Sequence, residues 1–234
     1  MRSKLIFPVL LGIFLAAVAS ANSACTMESL ASYISLGSGG CTIGADTFAS
    51  FRIVSPGTAG ATAIDPSTVT VTPSGGTTDP TLTFTTSLTA TTPELLEALF
   101  NYTVAGANFT SDTLTLSGSS ETVDGAVTDV QNYCVGGNFG SDGVDGCPGS
   151  AGSHLTLDGA INSDQVTIAG TTLGITDDIT LDGGTAGTAS GGTFVDQYTA
   201  TANISSTPEP AAFLLTALGL SLAALRKIRR DRHA

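Results

Sequence analysis

The central part of the chain alternates apolar residues with threonine or another polar residue. This two-residue period is typical of strands that bury one face. Several of these runs end in Ser-Gly, Asp-Gly or Gly-Gly, which favour hairpin turns. The pattern predicts strands at residues 67–72, 81–89, 112–118, 154–160, 165–170 and 177–184.

Two short segments have helical features instead. Leu30 and Tyr33 belong to an apolar set with helical spacing, so we expect a short amphipathic helix with its N-cap at Thr26 and its end at Gly37. In the run TTPELLEALFNYTV, Pro93 stands where a first helical turn would begin. We expect one or two helical turns there, followed by a strand.

These elements predict an all-β domain over residues 22–204. The most fitting architecture is a β-sandwich of roughly eight to ten strands with one or two short helices. Jelly-roll and immunoglobulin-like topologies are both compatible with the pattern. Composition agrees, because threonine is the most frequent residue, glycine occurs 28 times and tryptophan is absent.

Charge is distributed unevenly along the chain. The whole chain has a net charge of −12. Residues 22–207 contain eighteen acidic residues and a single lysine or arginine, Arg52. Nucleic-acid binding needs many lysines and arginines to neutralise phosphates, so this function class is excluded for the domain. An acidic surface fits solubility outside the cell or divalent cation binding, and solubility is the simpler explanation.

The N-terminus has the three parts of a secretory signal peptide. A basic start and an apolar run at residues 5–18 are followed by Ala19-Ser20-Ala21, which fits a cleavage site. A membrane anchor is the alternative, but the run is short of the ~20 residues that a span needs. We therefore predict a signal peptide at residues 1–21.

The C-terminus is a second membrane-address segment. Residues 211–225 carry no charge and would form a helix ~22 Å long, somewhat short of a ~30 Å hydrocarbon core but insertable. The basic residues after this helix should stay in the cytoplasm by the positive-inside rule. They are Arg226, Lys227, Arg229, Arg230 and Arg232.

Just before this helix, Pro208, Glu209 and Pro210 form a stiff, extended segment at the membrane surface. The order of Pro-Glu-Pro, a short apolar helix and a terminal arginine cluster resembles the PEP-CTERM sorting signal, here residues 205–234. The resemblance implies processing by an exosortase, a membrane protease with a catalytic cysteine, in a Gram-negative bacterium that makes exopolysaccharide. An unprocessed tail anchor is the alternative.

A weaker resemblance lies inside the domain. The segment GGCTIGADTFASFRI, residues 39–53, is similar to a Gly-Cys-x-Ile-Gly segment followed by Phe-x-x-Phe in one set of PEP-CTERM proteins of unassigned function. This resemblance implies no activity.

The domain contains four cysteines, which in an exported chain favour disulfides. Three connectivities are possible. We favour the local pairs Cys25–Cys41 and Cys134–Cys147, which close short loops. A zinc site is the alternative, but the domain has no Cys-x-x-Cys and a single histidine, His154.

The most suggestive loop for ligand binding is CVGGNFGSDGVDGCPG, residues 134–149. Its Asp142 and Asp145 are flanked by glycine, and calcium prefers this mixture of carboxylate and backbone oxygens. The spacing does not match an EF-hand, and we favour a disulfide-closed loop with turn-forming Asp-Gly pairs. No cofactor is predicted, and calcium is the alternative.

No catalytic constellation is recognisable, so we predict that the protein is not an enzyme. His154 is the single histidine available for acid–base work in the domain, and a lone histidine at a strand start is usually structural. The predicted function is an exported envelope or matrix protein, structural or adhesive, in an exopolysaccharide or biofilm context. The alternatives are a polysaccharide-binding module, although tryptophan is absent and tyrosine sparse, and a secreted hydrolase.

Overall fold

The computed structural model describes residues 22–54, 58–157 and 160–201. These residues form strands connected by turns, with one helix, α1 (Leu30–Ser35), and a single 3-10 turn at Pro66–Thr68. The strands are β1 (Glu28–Ser29), β2 (Cys41–Ile43), β3 (Asp46–Ile53), β4 (Thr62–Ala63), β5 (Thr70–Ser74), β6 (Thr81–Thr85), β7 (Thr89–Thr91), β8 (Leu95–Ser117), β9 (Ser120–Thr122), β10 (Ala126–Val135), β11 (Ser150–Leu157), β12 (Ser163–Asp182), β13 (Thr188–Ser190) and β14 (Thr193–Thr201).

Within the described ranges, eleven strands form one sheet. Its main path runs β1-β5-β6-β14-β8-β12-β10-β11, and β3 and β4 also pair with β8 while β2 pairs with β3. All of these pairs are antiparallel except β4 with β8. A small second sheet has the order β7-β13-β9. The prediction of an all-β domain is confirmed.

The large sheet folds over onto itself along its two longest strands, β8 and β12. Their register shifts between Thr167 and Thr172. Tyr102 and Asp112 are ten residues apart on β8, ~33 Å if the strand were straight. The Tyr102 hydroxyl nevertheless lies 2.6 Å from that of Tyr198, which is the β14 neighbour of Asp112. The two halves of the sheet therefore face each other.

We name the two halves by their strands. The first layer contains β3, β4, β10, β11, residues 95–104 of β8 and residues 173–182 of β12. The second layer contains β1, β5, β6, β14, residues 109–117 of β8 and residues 163–168 of β12.

The core between the layers is aromatic over much of its extent. Phe84 of the second layer lies 4.8 Å from Phe100 of the first, measured between ring centroids. Phe51 stacks on Tyr102 at 4.9 Å, and Tyr33 of α1 contacts the edge of Phe51 at 5.1 Å. All five side chains are buried, so α1 closes one end of an aromatic core.

Three of the strand predictions are correct in type but too short, while the run at residues 81–89 spans β6 and the start of β7. The runs at residues 165–170 and 177–184 belong to one continuous strand, β12, and the run at 112–118 is the end of β8. The sequence pattern breaks at the point where the sheet bends, because Gly170 and its neighbours change register there. β12 stays paired with β8 on both sides of the bend, so the two runs form one strand.

Both helix predictions need correction. The N-terminal helix exists, but its N-cap is Ser29, whose hydroxyl accepts the Ser32 N–H at 3.2 Å, and not Thr26. Gly37 does follow its end, with φ of +60°. No helix forms after Pro93, since the chain turns there and enters β8 at Leu95. Inward residues in this run recur with a period of two, and the long ladder with β12 prevails over the helical start signal.

The two disulfides are the local pairs that we favoured from the sequence because they close short loops. Cys25 is bonded to Cys41 and Cys134 to Cys147, with sequence separations of 16 and 13 residues. The first bond ties the segment before β1 to β2. The second closes the connection between β10 and β11.

The address segments lie outside the described residues. This applies to the signal peptide at residues 1–21, the Pro208-Glu209-Pro210 motif, the helix at residues 211–225 and the basic end. Within the ranges that the structure covers, no helix has the length and apolar character needed to cross a bilayer.

Candidate functional site

A group of polar side chains lies buried between the two layers, beside the aromatic core. We call it the interlayer acidic cluster. Four aspartates dominate it, and each of its members is at most 5 % exposed. Its members are Asp112 on β8, Asp129 and Gln131 on β10, His154 and Thr156 on β11, Asp177 on β12 and Asp196 on β14.

The aspartates occupy positions of their strands that otherwise point apolar side chains inward. Asp177 stands between the buried Ile175 and Ile179, and Asp196 between the buried Phe194 and Tyr198. Since strand side chains alternate between faces, these carboxylates must enter the interior. Folding of the sheet then brings Asp177 of the first layer towards Asp196 of the second.

Two tyrosines join the cluster to the aromatic core. The Tyr102 hydroxyl donates to Asp196 Oδ2 at 2.5 Å. Because that proton is used, Tyr198 donates its own hydroxyl proton to the Tyr102 oxygen at 2.6 Å. The Asp196 carboxyl is thus held from one side by a chain of two phenols.

Gln131 orders the other side of the cluster. Its Nε2 donates to Asp177 Oδ1 at 2.9 Å. Its Oε1 can only accept, so the contact of 2.7 Å with His154 Nε2 requires a proton on that ring nitrogen. His154 Nε2 also lies 3.6 Å from Asp112 Oδ2.

Many polar atoms of the cluster have no hydrogen-bond partner despite complete burial. They are Asp112 Oδ1 and Oδ2, Asp129 Oδ1, Asp177 Oδ2, Asp196 Oδ1, Thr156 Oγ1 and His154 Nδ1. Buried polar groups in proteins are nearly always paired, since desolvating them is costly. An unpaired set of this size, in one place, calls for a ligand or for protons that neutralise the carboxylates.

Burial dominates the electrostatics of the aspartates. It raises the pKa of Asp112, of Asp129 and of Asp177, and the pKa values of the last two are raised further by the Asp196 charge. Burial together with Asp112 raises the pKa of Asp196 to about 7. Ionising this cluster near neutral pH therefore requires a compensating positive charge.

His154 supplies part of that charge. Burial lowers its pKa, but the adjacent Asp112 carboxylate outweighs burial and the net pKa is raised. One imidazolium cannot balance four carboxylates. His154 is packed against Gln131 and Tyr133, and its structural role stays a prediction.

Three of the aspartates are arranged as metal ligands could be. Asp129, Asp177 and Asp196 each place one carboxylate oxygen within 4.8 Å of the others. Their burial gives a polymeric substrate no access in this conformation.

The predicted calcium loop is organised in a different way. Asp142 Oδ1 accepts the N–H groups of Val144 and Asp145 at 3.1 and 3.0 Å, an Asx turn that lowers the pKa of Asp142. The Asp145 carbonyl accepts the Gly140 N–H at 2.7 Å. Calcium binding by Asp142 and Asp145 stays a prediction, and the buried cluster is the stronger candidate.

Arg52 fastens this loop to the outer face of the first layer. Its guanidinium donates to the carbonyl oxygens of Phe139 and Gly140 and, at 3.1 Å, to Asn101 Oδ1. Asn101 in turn donates to Thr176 Oγ1 at 3.0 Å. The sole arginine of the domain is therefore used to bind loop carbonyls.

We expect Arg52→Ala to release this loop. Charged hydrogen bonds contribute ~1.5–3 kcal/mol, so hydrogen exchange of residues 138–146 should accelerate by at least about tenfold. Arg52→Lys keeps the charge but loses the fork of donors and should be intermediate. Unchanged exchange in Arg52→Ala would show that the disulfide alone holds the loop.

The described aromatic side chains are withdrawn from the surface. Every phenylalanine in the described ranges is buried, as are Tyr33, Tyr102 and Tyr198, while Tyr133 is half-buried. A recess of about 60 Å³ lies beside Tyr33 and Cys41, against ~300–1,000 Å³ for typical ligand clefts. Stacking platforms for sugars are therefore not among the described features.

The sequence analysis missed the interlayer acidic cluster. Part of the signal was present, because Asp177 and Asp196 each interrupt the inward, apolar positions of a two-residue pattern, whereas Asp129 lies between Val127 and the polar Gln131. Such interruptions look like strand edges or turns when one strand is considered alone. Only the folding of the sheet brings them together.

No protein-family model matches the chain, and neither a curated protein nor a solved structure is significantly similar to it.

Proposed function

We propose that the chain is an exported envelope or extracellular-matrix protein whose central β domain has a structural or adhesive role. The observation that carries this proposal is the pair of disulfides, Cys25–Cys41 and Cys134–Cys147. Disulfides persist in oxidising compartments outside the cytoplasm. They agree with a leader sequence before the domain and a sorting-like segment after it.

The surface of the domain supports a structural role. Exposed hydroxyl pairs connect neighbouring strands, as between Thr122 and Thr188 at 2.8 Å and between Thr89 and Ser190 at 2.9 Å. Such cross-strand pairs stabilise a sheet without needing charge. A polysaccharide-binding role is less well supported, since the aromatic side chains that would stack on sugars lie in the core.

The architecture proposed for the domain is a β-sandwich. Two facing layers with a shared aromatic core support this class. In this chain the layers belong to one continuous, folded sheet, since β8 and β12 run through both. A jelly-roll or immunoglobulin-like connectivity stays a proposal.

We further propose that an exosortase cleaves the precursor near Pro208-Glu209-Pro210. In this scheme the helix at residues 211–225 is a temporary anchor and the basic end holds the C-terminus in the cytoplasm. The mature protein would then be displayed or released in the extracellular polymer.

Intact-mass analysis of the protein from its native host tests this proposal. We expect a mature species that starts near Asn22 and lacks everything beyond the Pro-Glu-Pro region. Glu209→Ala should cause a membrane-retained precursor to accumulate, while Glu121→Ala, at an exposed position on β9, should be processed normally. A species that still ends at Ala234 in a host with an active exosortase would contradict the proposal.

A further inference from the structure

The interlayer acidic cluster has too little positive charge of its own. Arg52 is the only lysine or arginine in residues 22–207, and its guanidinium is bound to the loop on the outer face. His154 is the one basic group beside the aspartates. Ionised carboxylates in a dry interior are unstable unless they are paired with a cation or coordinate a metal.

Three of the buried aspartates have the spacing of a coordination site. One oxygen from each of Asp129, Asp177 and Asp196 lies within 4.8 Å of the others. Ligands that share one calcium at ~2.3–2.6 Å are at most about 5 Å apart. Asp129 Oδ1, Asp177 Oδ2 and Asp196 Oδ1 are each buried without a hydrogen-bond partner.

Neighbouring contacts leave these ligand oxygens free. Gln131 binds Asp177 through Oδ1, so Oδ2 is left for a ligand. Tyr102 binds Asp196 through Oδ2, so Oδ1 is left in the same way. Thr156, directly opposite Asp129 in the β10–β11 ladder, adds a buried hydroxyl oxygen without a partner.

We propose that Asp129, Asp177 and Asp196 bind one hard divalent cation, with calcium as the favoured ion, between the two layers of the domain. The cation links β10 and β12 of the first layer to β14 of the second. The cation stabilises this part of the interior, where apolar side chains would otherwise pack against each other. This proposal does not depend on sorting by an exosortase.

The donor set selects the class of ion. Carboxylate and hydroxyl oxygens suit calcium and magnesium, whereas zinc and copper prefer imidazole or thiolate ligands. The four cysteines of the described chain are all in disulfides, and the three grouped ligands are carboxylates, without His154 among them. The free oxygens of the three carboxylates and the Thr156 hydroxyl fit the flexible oxygen coordination of calcium, while magnesium demands near-ideal octahedral geometry and usually keeps several waters.

The test measures cation content and thermal stability on the full-length chain, exported and purified in detergent. Protein is treated with chelator in mild denaturant, refolded in 150 mM salt, and titrated with calcium or magnesium chloride. We expect one tightly held calcium per chain by elemental analysis. Calcium at a hundredfold excess over Kd should raise Tm by roughly 5–10 °C.

Asp177→Asn is the test variant. The Asn oxygen can still accept from Gln131, and only the ligand oxygen is replaced by an amide nitrogen. Asp178→Asn is the matched control, because the next residue of β12 points to the other face. We expect the control to keep calcium and its Tm increase, and Asp177→Asn to lose both. If Asp177→Asn is not recovered folded, Asp129→Asn serves the same purpose.

Two results would overturn the proposal. The first is wild-type protein without a bound divalent cation whose Tm calcium does not change. The second is an Asp177→Asn protein that is more stable than wild type and equally responsive to calcium, which would show that protons neutralise the cluster. Tight binding of zinc with no response to calcium or magnesium would likewise exclude the hard-ion assignment.

Discussion

Replacing all four cysteines by alanine is expected to lower the free energy of unfolding by about 6 kcal/mol. Each disulfide closes a short loop, of 16 and 13 residues, and the chain-entropy model assigns ~3 kcal/mol to a loop of this size. A domain has only ~5–15 kcal/mol in total, so the variant should be close to unfolding at room temperature. Urea denaturation monitored by circular dichroism measures the difference.

Two paired variants serve as controls for this experiment. Cys25→Ala with Cys41→Ala, and Cys134→Ala with Cys147→Ala, should each lose about half of the total, because the bonds lie in separate loops. Cys41 and Cys134 are buried, and alanine avoids placing a hydroxyl group there. A loss below about 1 kcal/mol in the quadruple variant would show that the sheet ladders alone hold the domain.

The second large effect is a loss of stability with rising pH in protein freed of divalent cations. In the folded state, burial raises the pKa of Asp196 from 3.8 to about 7. A carboxyl with a raised pKa stabilises the fold while it is protonated, so this contribution is present at low pH and is lost as pH rises through about 7. At ~1.4 kcal/mol for each unit of pKa, Asp196 alone accounts for on the order of 4 kcal/mol.

The other groups that face Asp196 have pKa changes of the same sign. Those of Asp112, Asp129, Asp177 and His154 are all raised, as are those of Tyr102 and Tyr198. Exposed Asp124 has a lowered pKa, and its contribution changes only below pH ~4. For Asp196 the decrease therefore runs from pH ~4 to ~7, so a comparison of pH 5 with pH 8 should detect roughly 3 kcal/mol of it, in a range where most exposed carboxylates stay ionised.

Urea denaturation in the presence of a chelator, at pH 5 and at pH 8, measures this effect. Asp196→Asn removes a titrating group and keeps an oxygen that can accept from Tyr102, so its pH dependence should be shallower. Asp124→Asn is the control and should follow wild type across this range. Equal stability of wild type at the two pH values would mean that solvent reaches the carboxylates.

The cluster and the export proposal are compatible with each other. A protein that folds outside the cytoplasm can bind calcium there, and many extracellular modules use calcium sites. The cation would then bind between the two layers only after export. The disulfides would likewise form only in that compartment.

Strand formation was largely readable from local pattern. Four of the six predicted runs overlap a long strand of the structure, residues 81–89 cover the short β6 and reach β7, and residues 67–72 begin as a 3-10 turn before β5. The alternation of Val, Leu, Ile or Phe with threonine explains this success, because one face of each strand must be buried. The strands β3, β10 and β14 were not predicted. The helix expected after Pro93 failed for a related reason, since residues 95–104 satisfy both periods and only pairing with β12 decides between them.

By itself, the sequence determined the all-β class and the separation of the acidic domain from the charged ends, and it favoured the short-range cysteine pairs among three connectivities. These follow from periodicity, loop length and the location of lysine and arginine, which are local properties. Only the tertiary structure decided that β8 and β12 cross both layers and that Asp129, Asp177 and Asp196 meet between them. It also assigned Arg52 to the carbonyls of residues 139 and 140. Residues far apart in the chain are brought together by the bend in the sheet, and a one-dimensional pattern contains no measure of that bend.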